Sequence, residues 1–297
     1  MDKNKSVSVG ILFAIIGIIL FSAKAVMVKL AYQYDIDSIS LLLFRMIFAF
    51  PFYLGIALWK TPANPQQIKK QDYLWVFLFG FLGYYLASFF DFEGLRFIKA
   101  GLERIILFIY PTIVVLLSWF FFKKKLSKNQ LWAIVVTYVG VVITFWNEID
   151  TNTSGVYWGG FLIFLSAFTY ASYLVGSGWL IPKFGVVPFT AYSMLVSTFC
   201  VVVHYSFIRD FDLFNYPTPV YVLGFCMAFF STLIPSFLVS EAISRLGASM
   251  FSIFGSLGPV STIVLAYFFL SEEVSSIQLL GMLIVILGVY LVSRKKE

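Results

Sequence analysis

Histidine occurs once and cysteine twice among 297 residues. His204, Cys200 and Cys226 fall in apolar stretches without ligand spacing between them, which excludes a recognisable zinc site and a redox motif. Charge is scarce as well: 12% of residues are Asp, Glu, Lys or Arg, against about 25% in soluble proteins. No GxxxxGKS/T loop is present, so the chain carries no ATP-binding motor of its own. Neither a metal nor a cofactor is expected. Apolar residues are what the chain has in excess, 60% hydrophobic and 20% aromatic with 35 Phe and 17 Tyr, where soluble domains hold about 45–50%. A single water-bounded core cannot hide that much surface, and the bilayer must act as part of the solvent. About 20 apolar residues cross a hydrocarbon layer ~30 Å thick, which leaves room for about ten crossings. A soluble enzyme, a disordered chain, a nucleic-acid binder and a single-pass receptor are thereby excluded. The formal charge of +6 then reads as topology signals on loops rather than affinity for nucleic acid.

Ten apolar stretches run at about Gly10–Ala31, Ile39–Trp59, Tyr73–Glu93, Ala100–Phe122, Gln130–Trp146, Tyr157–Leu180, Val186–Phe207, Pro219–Glu241, Ala248–Leu270 and Ile277–Val292. Continuously apolar runs such as Leu78–Leu82 and Ile284–Leu291 fit helices and lack the alternation of a barrel. The expected fold class is an all-α polytopic membrane protein of ten transmembrane helices. Of the 21 basic residues, fourteen fall in connections on one side and three (Arg96, Lys99 and Arg209) on the other. That bias puts both termini in the cytoplasm and the protein in an inner or plasma membrane. Lys3, Lys5 and the following apolar run imitate a cleavable signal, but Lys24 interrupts the run and the first span is expected to be retained.

Sliding the chain on itself by 148 residues aligns Glu93 with Glu241, Pro111 with Pro259, Ser127 with Ser275, Gln130 with Gln278 and Gly140 with Gly288. Two halves of five spans follow, residues 1–147 and 148–297. Five is odd, so the second half enters the membrane upside down. Lys124-Lys125 and Glu272-Glu273 occupy the same repeat positions with opposite charge, as inversion requires. Inverted repeats related by a two-fold axis in the membrane plane are the hallmark of alternating-access transporters. The segment Pro111–Ser118 with Leu126, Ser127 and Gln130 resembles the end of an EamA repeat of the drug/metabolite transporter superfamily. So does Pro259–Thr262 with Leu270–Glu273, Gln278, Gly281 and Gly288. Phe21–Lys29 is similar to that family's first-helix motif, with Phe21 where Trp is common and Lys24 where a small or polar residue is usual. The resemblance implies a ten-helix carrier of small metabolites, often amino acids or related solutes, with export favoured. It departs at Lys123-Lys124-Lys125, which replace the family's acidic residue in the first repeat.

Lys24 lies about 9 Å below the outer end of its span at ~1.5 Å per residue, and Arg45 lies at a similar depth on the next span. Asp91, Glu103 and Arg104 sit near the same mouth, with Glu93 at its rim. Each base at depth costs about 2.5–3.5 kcal/mol on insertion scales, so these groups face the bundle interior. Two readings stand. Three bases (Lys24, Arg45, Arg104) and three acids (Asp91, Glu93, Glu103) can form a neutral structural network. Alternatively, Lys24 and Arg45 form the cationic wall of a cavity for a carboxylate. Asp91 and Glu93 are about 200° apart on a helix and cannot both face that cavity. Glu93 and Glu241 fall at opposite mouths, as gates or as solvated helix ends. Glu241 is spaced to pair with Arg245.

Pro111 and Pro259 sit at mid-span and remove the donor to the carbonyls of Leu107 and Gly255; they either line a solute site or bend their helices. Gly255, with Gly258 and Ser256, permits close approach of a backbone or a ligand. Tyr110, with Tyr84, Tyr85, Tyr170 and Tyr173, lies deep enough to line a cavity, while Trp59, Trp75, Trp132, Trp146 and Trp158 read as interface anchors. The expected function is secondary transport of an amino acid or similar carboxylate-bearing metabolite, with Lys24, Arg45, Tyr110, Pro111, Gly255 and Pro259 around the solute. Asp91, Glu93, Glu103, Arg104 and Glu241 are expected to gate or to carry protons. Partners are a small-molecule solute and the bilayer, and a homodimer is compatible with the design. The rivals are an intramembrane enzyme built from Asp91, Glu103 and His204, and a solute channel.

Overall fold

The computed structural model describes residues 3–98, 100–123, 127–145, 154–208, 213–270 and 274–293. Lys99, Lys124, Lys125, Trp146, Arg209, Glu272, Glu273 and the expected 147/148 boundary lie outside them. Among the described residues there is no strand. Ten helical spans follow the ten apolar stretches. They are α1 (Lys3–Tyr32), α2 (Ser38–Trp59), α3 (Lys70–Phe97), α4 in two pieces (Ala100–Leu107 and Tyr110–Phe122), α5 (Lys128–Phe145), α6 (Val156–Phe184), α7 (Val186–Ile208), α8 (Thr218–Leu246), α9 in two pieces (Ala248–Phe254 and Leu257–Leu270) and α10 (Ser276–Ser293). Seven helices are long and apolar enough to cross a bilayer, and three further apolar helices are shorter. Large side chains cover the outside, with Trp59 83% and Phe207 85% exposed. Such a surface is stable only against lipid.

The local chemistry explains where the helices start and stop. Asp37 caps α2, accepting from the Ser40 backbone N–H at 3.0 Å and from its hydroxyl at 2.6 Å. Asp72 accepts from the Lys69 N–H at 2.9 Å and pairs with Lys183 of α6 at 2.7 Å, tying two helices at one end of the bundle. Pro111 stands in the first turn of the second piece of α4, where its missing N–H is not needed. Pro259 likewise lies in the first turn of the second piece of α9. The expected mid-helix bends are therefore short turns, at residues 108–109 and 255–256, within spans that continue through them.

The two halves share backbone irregularities at the 148-residue offset. A π-helical segment in α3, Phe81–Leu86, corresponds to another in α8, Phe229–Leu233. The α4 break after Leu107 matches the α9 break after Phe254 to within about a residue. Inversion is visible where α5 packs on α10. A methyl group placed on Gly140 would lie 2.8 Å from the Val285 backbone nitrogen, and one on Gly288 would lie 2.5 Å from Thr137 Cγ2. Gly140 corresponds to Gly288 and Thr137 to Val285, so one contact occurs twice, as a two-fold axis demands. Residue numbers rise along one helix as they fall along the other. The pair is antiparallel, and the axis runs across the helices in the plane of the membrane.

Gly140→Ala tests this contact, because the added carbon meets backbone atoms of Val285 and Gly281 that cannot turn aside. The expected cost is about 1–3 kcal/mol, seen as a lower thermal midpoint of the detergent-purified protein. Gly55→Ala, which meets nothing within 4 Å, leaves the midpoint in place.

Candidate functional site

Five of the charged residues singled out above converge. Lys24 of α1, 4% exposed, places its Nζ 2.6 Å from Oδ2 of the fully buried Asp91 on α3. Glu103 and Arg104, neighbours on the first piece of α4, touch at 2.9 Å without hydrogen-bond alignment, since adjacent helical residues do not face each other. Glu103, like Asp91, is wholly buried. Arg45 of α2, 1% exposed, donates from Nη2 to the Ser88 hydroxyl at 2.8 Å and holds its guanidinium carbon 5.2 Å from the centre of the Phe92 ring. Lys24 Nζ lies 5.9 Å from the same ring. Phe92 thus serves both cations with its negative π faces.

This cluster is not the neutral three-by-three network. Glu93 faces away, accepting from Ser38 and pairing at 2.9 Å with the half-exposed Arg96. Three buried bases therefore stand with two buried acids. Fully ionised, the cluster holds one surplus positive charge. Among the described residues Arg45 has no carboxylate in ion-pair contact, and its Nε, like Arg104 Nη2, lacks a hydrogen-bond partner. Lys29 is accounted for otherwise: it donates to the Leu95 and Ile98 carbonyls at 2.7 and 2.9 Å, capping the end of α3.

Beside the cluster lies a cavity lined by Lys24, Ser88, Arg104, Tyr110, Tyr170 and Gly255 among others. Leu107 and Gly255 both line it, as do Tyr110 and Gly258. Each of these pairs is one position seen in both repeats, so the cavity straddles the two-fold axis. Pro111 and Pro259 are buried beside it at the starts of their helix pieces. Leu107, deprived by Pro111 of its usual donor, faces the cavity, but the Gly255 carbonyl expected to be free accepts from the Gly258 N–H at 2.8 Å. The Tyr110 hydroxyl occupies the space a side chain at Gly255 would need.

Other expected residues lie elsewhere. Glu241 pairs with Arg245, whose Nε is 2.8 Å away, and neither Glu241 nor Glu93 lines the cavity. His204 Nδ1 is 3.0 Å from the Tyr85 hydroxyl, with its ring edge-on to Phe89 at 4.7 Å, and it is absent from the cavity wall. Tyr84 and Tyr173 join hydroxyls at 3.3 Å inside the core. Ser88 and Ser166 escaped the sequence reading although both line the cavity. Ser88 lies three residues before Asp91 and so on its face of α3, the one signal that marks it.

Comparison with known proteins agrees with this architecture. The model of the EamA-like transporter family matches residues 8–146 and again 157–294. The uncharacterized transporter YcbK of Bacillus subtilis (strain 168) is 30% identical, covering 94% of this chain and 91% of its own. The uncharacterized transporter YyaM of the same organism is 25% identical over 80% of this chain and 78% of its own. A solved crystal structure superposes with a TM-score of 0.74 over 96% of both chains at 13% identity, a likeness of fold alone.

Asp91→Asn removes the counterion of Lys24 while keeping its shape. The expected loss is about 3–5 kcal/mol, because an unpaired charge stays buried. Adding Lys24→Gln recovers most of it. Thermal midpoints of the two single variants and the double variant measure the coupling, and additive losses would refute it.

Proposed function

Because the chain belongs to the EamA-like transporter family and is an integral membrane transporter, we propose that it carries a small carboxylate-bearing metabolite, an amino acid or close relative, by alternating access. The observation that carries this reading is the surplus buried cation beside the axial cavity. A base without a carboxylate partner in a low-dielectric interior is costly, and a solute carboxylate supplies the missing counterion. Lys24 and Arg104 line the cavity; Arg45, expected in its wall, does not line it and stands one side chain behind, bonded to the lining Ser88. Asp91 and Glu103 are wholly buried and do not line the cavity, so the wall a solute meets carries the charge of Lys24 and Arg104. Tyr110 and Tyr170, 5.5 Å apart edge to face, form an aromatic wall, and the breaks before Pro111 and Pro259 give the cavity its width. Glu93 and Glu241 would close opposite mouths.

Rocking the two halves about the in-plane axis exposes a site on that axis to either side in turn. The charge bias of the loops supports cytoplasmic termini in an inner or plasma membrane, and the family resemblance favours export.

Metabolite profiling of cells with and without the gene, followed by proteoliposome uptake, identifies the solute. Arg45→Gln is then expected to weaken its apparent affinity about 10–100-fold, the loss of a charged hydrogen bond worth ~1.5–3 kcal/mol, at unchanged membrane expression. Lys24→Gln, which leaves Asp91 buried without its partner, is expected to weaken affinity likewise at lower expression, with uptake normalised to the protein in the membrane. Normal transport by both variants would remove the cationic site. Flux without saturation or counterflow would mean a channel, and chemical conversion of the solute an enzyme. Gly255→Ala, which displaces the Tyr110 phenol, is expected to depress uptake without changing expression.

A further inference from the structure

Away from the charged cluster, a second set of buried polar groups has no role in the site described above. Thr190, Ser193 and Ser197 recur at i, i+3 and i+7 on one face of α7, and Thr232, Ser236 and Ser240 at i, i+4 and i+8 on one face of α8. All six are at most 1% exposed. The two faces meet, since the Thr190 hydroxyl donates to the Ser240 hydroxyl at 2.7 Å. Tyr53 of α2, wholly buried, joins Ser236 at 2.8 Å. From α3, a methyl group on Gly80 would lie 2.7 Å from the Ser193 carbonyl oxygen, so α3 and α7 are in backbone contact beside the same hydroxyls. The result is a neutral hydroxyl seam between α2, α3, α7 and α8.

Its position complements that of the cluster. Thr190 lies near the start of α7, while Tyr53 and Ser240 lie near the ends of α2 and α8, all at the Gly185 end of the bundle. Lys24, Arg45 and Asp91 lie in the opposite half. Gly83 of the cavity wall packs directly on Tyr173, whose hydroxyl meets that of Tyr84 at 3.3 Å and whose ring stacks at 6.0 Å on Phe189, the residue before Thr190. Tyr173 and Phe189 thus lie between the cavity wall and the hydroxyl seam.

The seam is also incompletely bonded. Buried hydroxyls in apolar helices ordinarily turn back onto the preceding turn, as Thr198 does to Met194 and Ser231 to Met227, both at 2.9 Å. Ser193, Ser197 and Thr232 do not, and they have no hydrogen-bond partner at all. Alanine or valine would fill the same space without that cost. Hydroxyls belong there if water reaches them in another state. The π segments of α3 and α8 begin at Phe81, directly after Gly80, and include Thr232, and such segments are frequent at functional sites.

We propose that this seam is the second half of the solute path, joining the cavity to the Gly185 end, closed in this structure, with its hydroxyls at most 1% exposed, and hydrated when the halves rock. Its hydroxyls then bind water and the hydrogen-bonding groups of a polar solute in transit. Having no charge, it releases what the cations held. The inference rests on the transport reading but not on the identity of the solute.

The test is cysteine accessibility in a Cys200→Ser, Cys226→Ser background. Ser193→Cys, Ser197→Cys and Thr232→Cys are compared with Ala191→Cys, equally buried on α7 but off the hydroxyl face. Oriented membrane vesicles are treated with a membrane-impermeant methanethiosulfonate. The seam cysteines are expected to react at least tenfold faster than Ala191→Cys from the face bearing Gly185, and no faster than it from the other. Rates equal to the control from both faces, in variants that elute as single species with unchanged thermal midpoints, overturn the proposal, and so does equal rapid labelling from both. Three positions on two helices keep the test decisive if one variant misfolds. Normal transport by Arg45→Gln with a labelled seam would fault the cationic site alone, whereas an unlabelled seam with Arg45→Gln inactive would fault the path alone.

Discussion

The 2.6 Å pair between Lys24 and Asp91 is the interaction around which the half of the bundle away from Gly185 is arranged. Neither group could remain charged in hydrocarbon alone, and satisfying both draws α1 and α3 together at one point. Phe92, one residue further along α3, then offers its ring to Lys24 and Arg45 together. Lys29, about a turn and a half beyond Lys24, closes the end of α3 through its carbonyls. The pair does not complete the charge balance, because Arg45 and Arg104 exceed what Glu103 can neutralise. Pure scaffolding would favour an even match. An interior cation kept short of a counterion is better explained as half of a recognition event.

The repeat preserves backbone and discards side chains. At the 148-residue offset the π segments, the breaks in α4 and α9, and the glycines of α5 and α10 coincide. Asp91, by contrast, corresponds to Val239, Glu103 to Phe251 and Arg104 to Ser252. Motion depends on where backbones bend and approach, so those features are held in common. Recognition depends on side chains, and a solute with one carboxylate has no two-fold symmetry for the second half to match. The axial cavity accordingly has a charged wall from one repeat and an apolar wall, Val239 and Phe251, from the other.

Much of this was legible in the chain. Runs of apolar residues give the ten spans because the bilayer thickness sets helix length. Asp91 and Glu93 separate onto different faces because helical geometry leaves no alternative. Partner choice was less legible. Sequence places Glu93 within reach of the buried bases, yet the exposed Arg96, three residues along the same helix, claims it. No spacing rule predicts that Arg45 is held by a serine on another helix. The prolines marked the right places but suggested bends, because a break also needs the chain on either side to find new bonds. The Gly255 carbonyl found one in Gly258. The π segments carry no period of their own and were invisible.

A carrier must bind its solute and also let it go. In the proposed path, binding beside Lys24 and Arg104 uses charge, where each interaction in a low dielectric is strong. A path lined with charge along its whole length would trap an anion at every step. Continuing it with neutral hydroxyls gives each hydrogen bond a modest net value, about 0.5–1.5 kcal/mol, because water offers the same bond. The unpartnered hydroxyls of Ser193, Ser197 and Thr232 also make the closed seam less favourable than close packing would. That lowers the free energy needed to open it, and in the proposed cycle would keep the two arrangements of the halves near balance, as exchange between them requires.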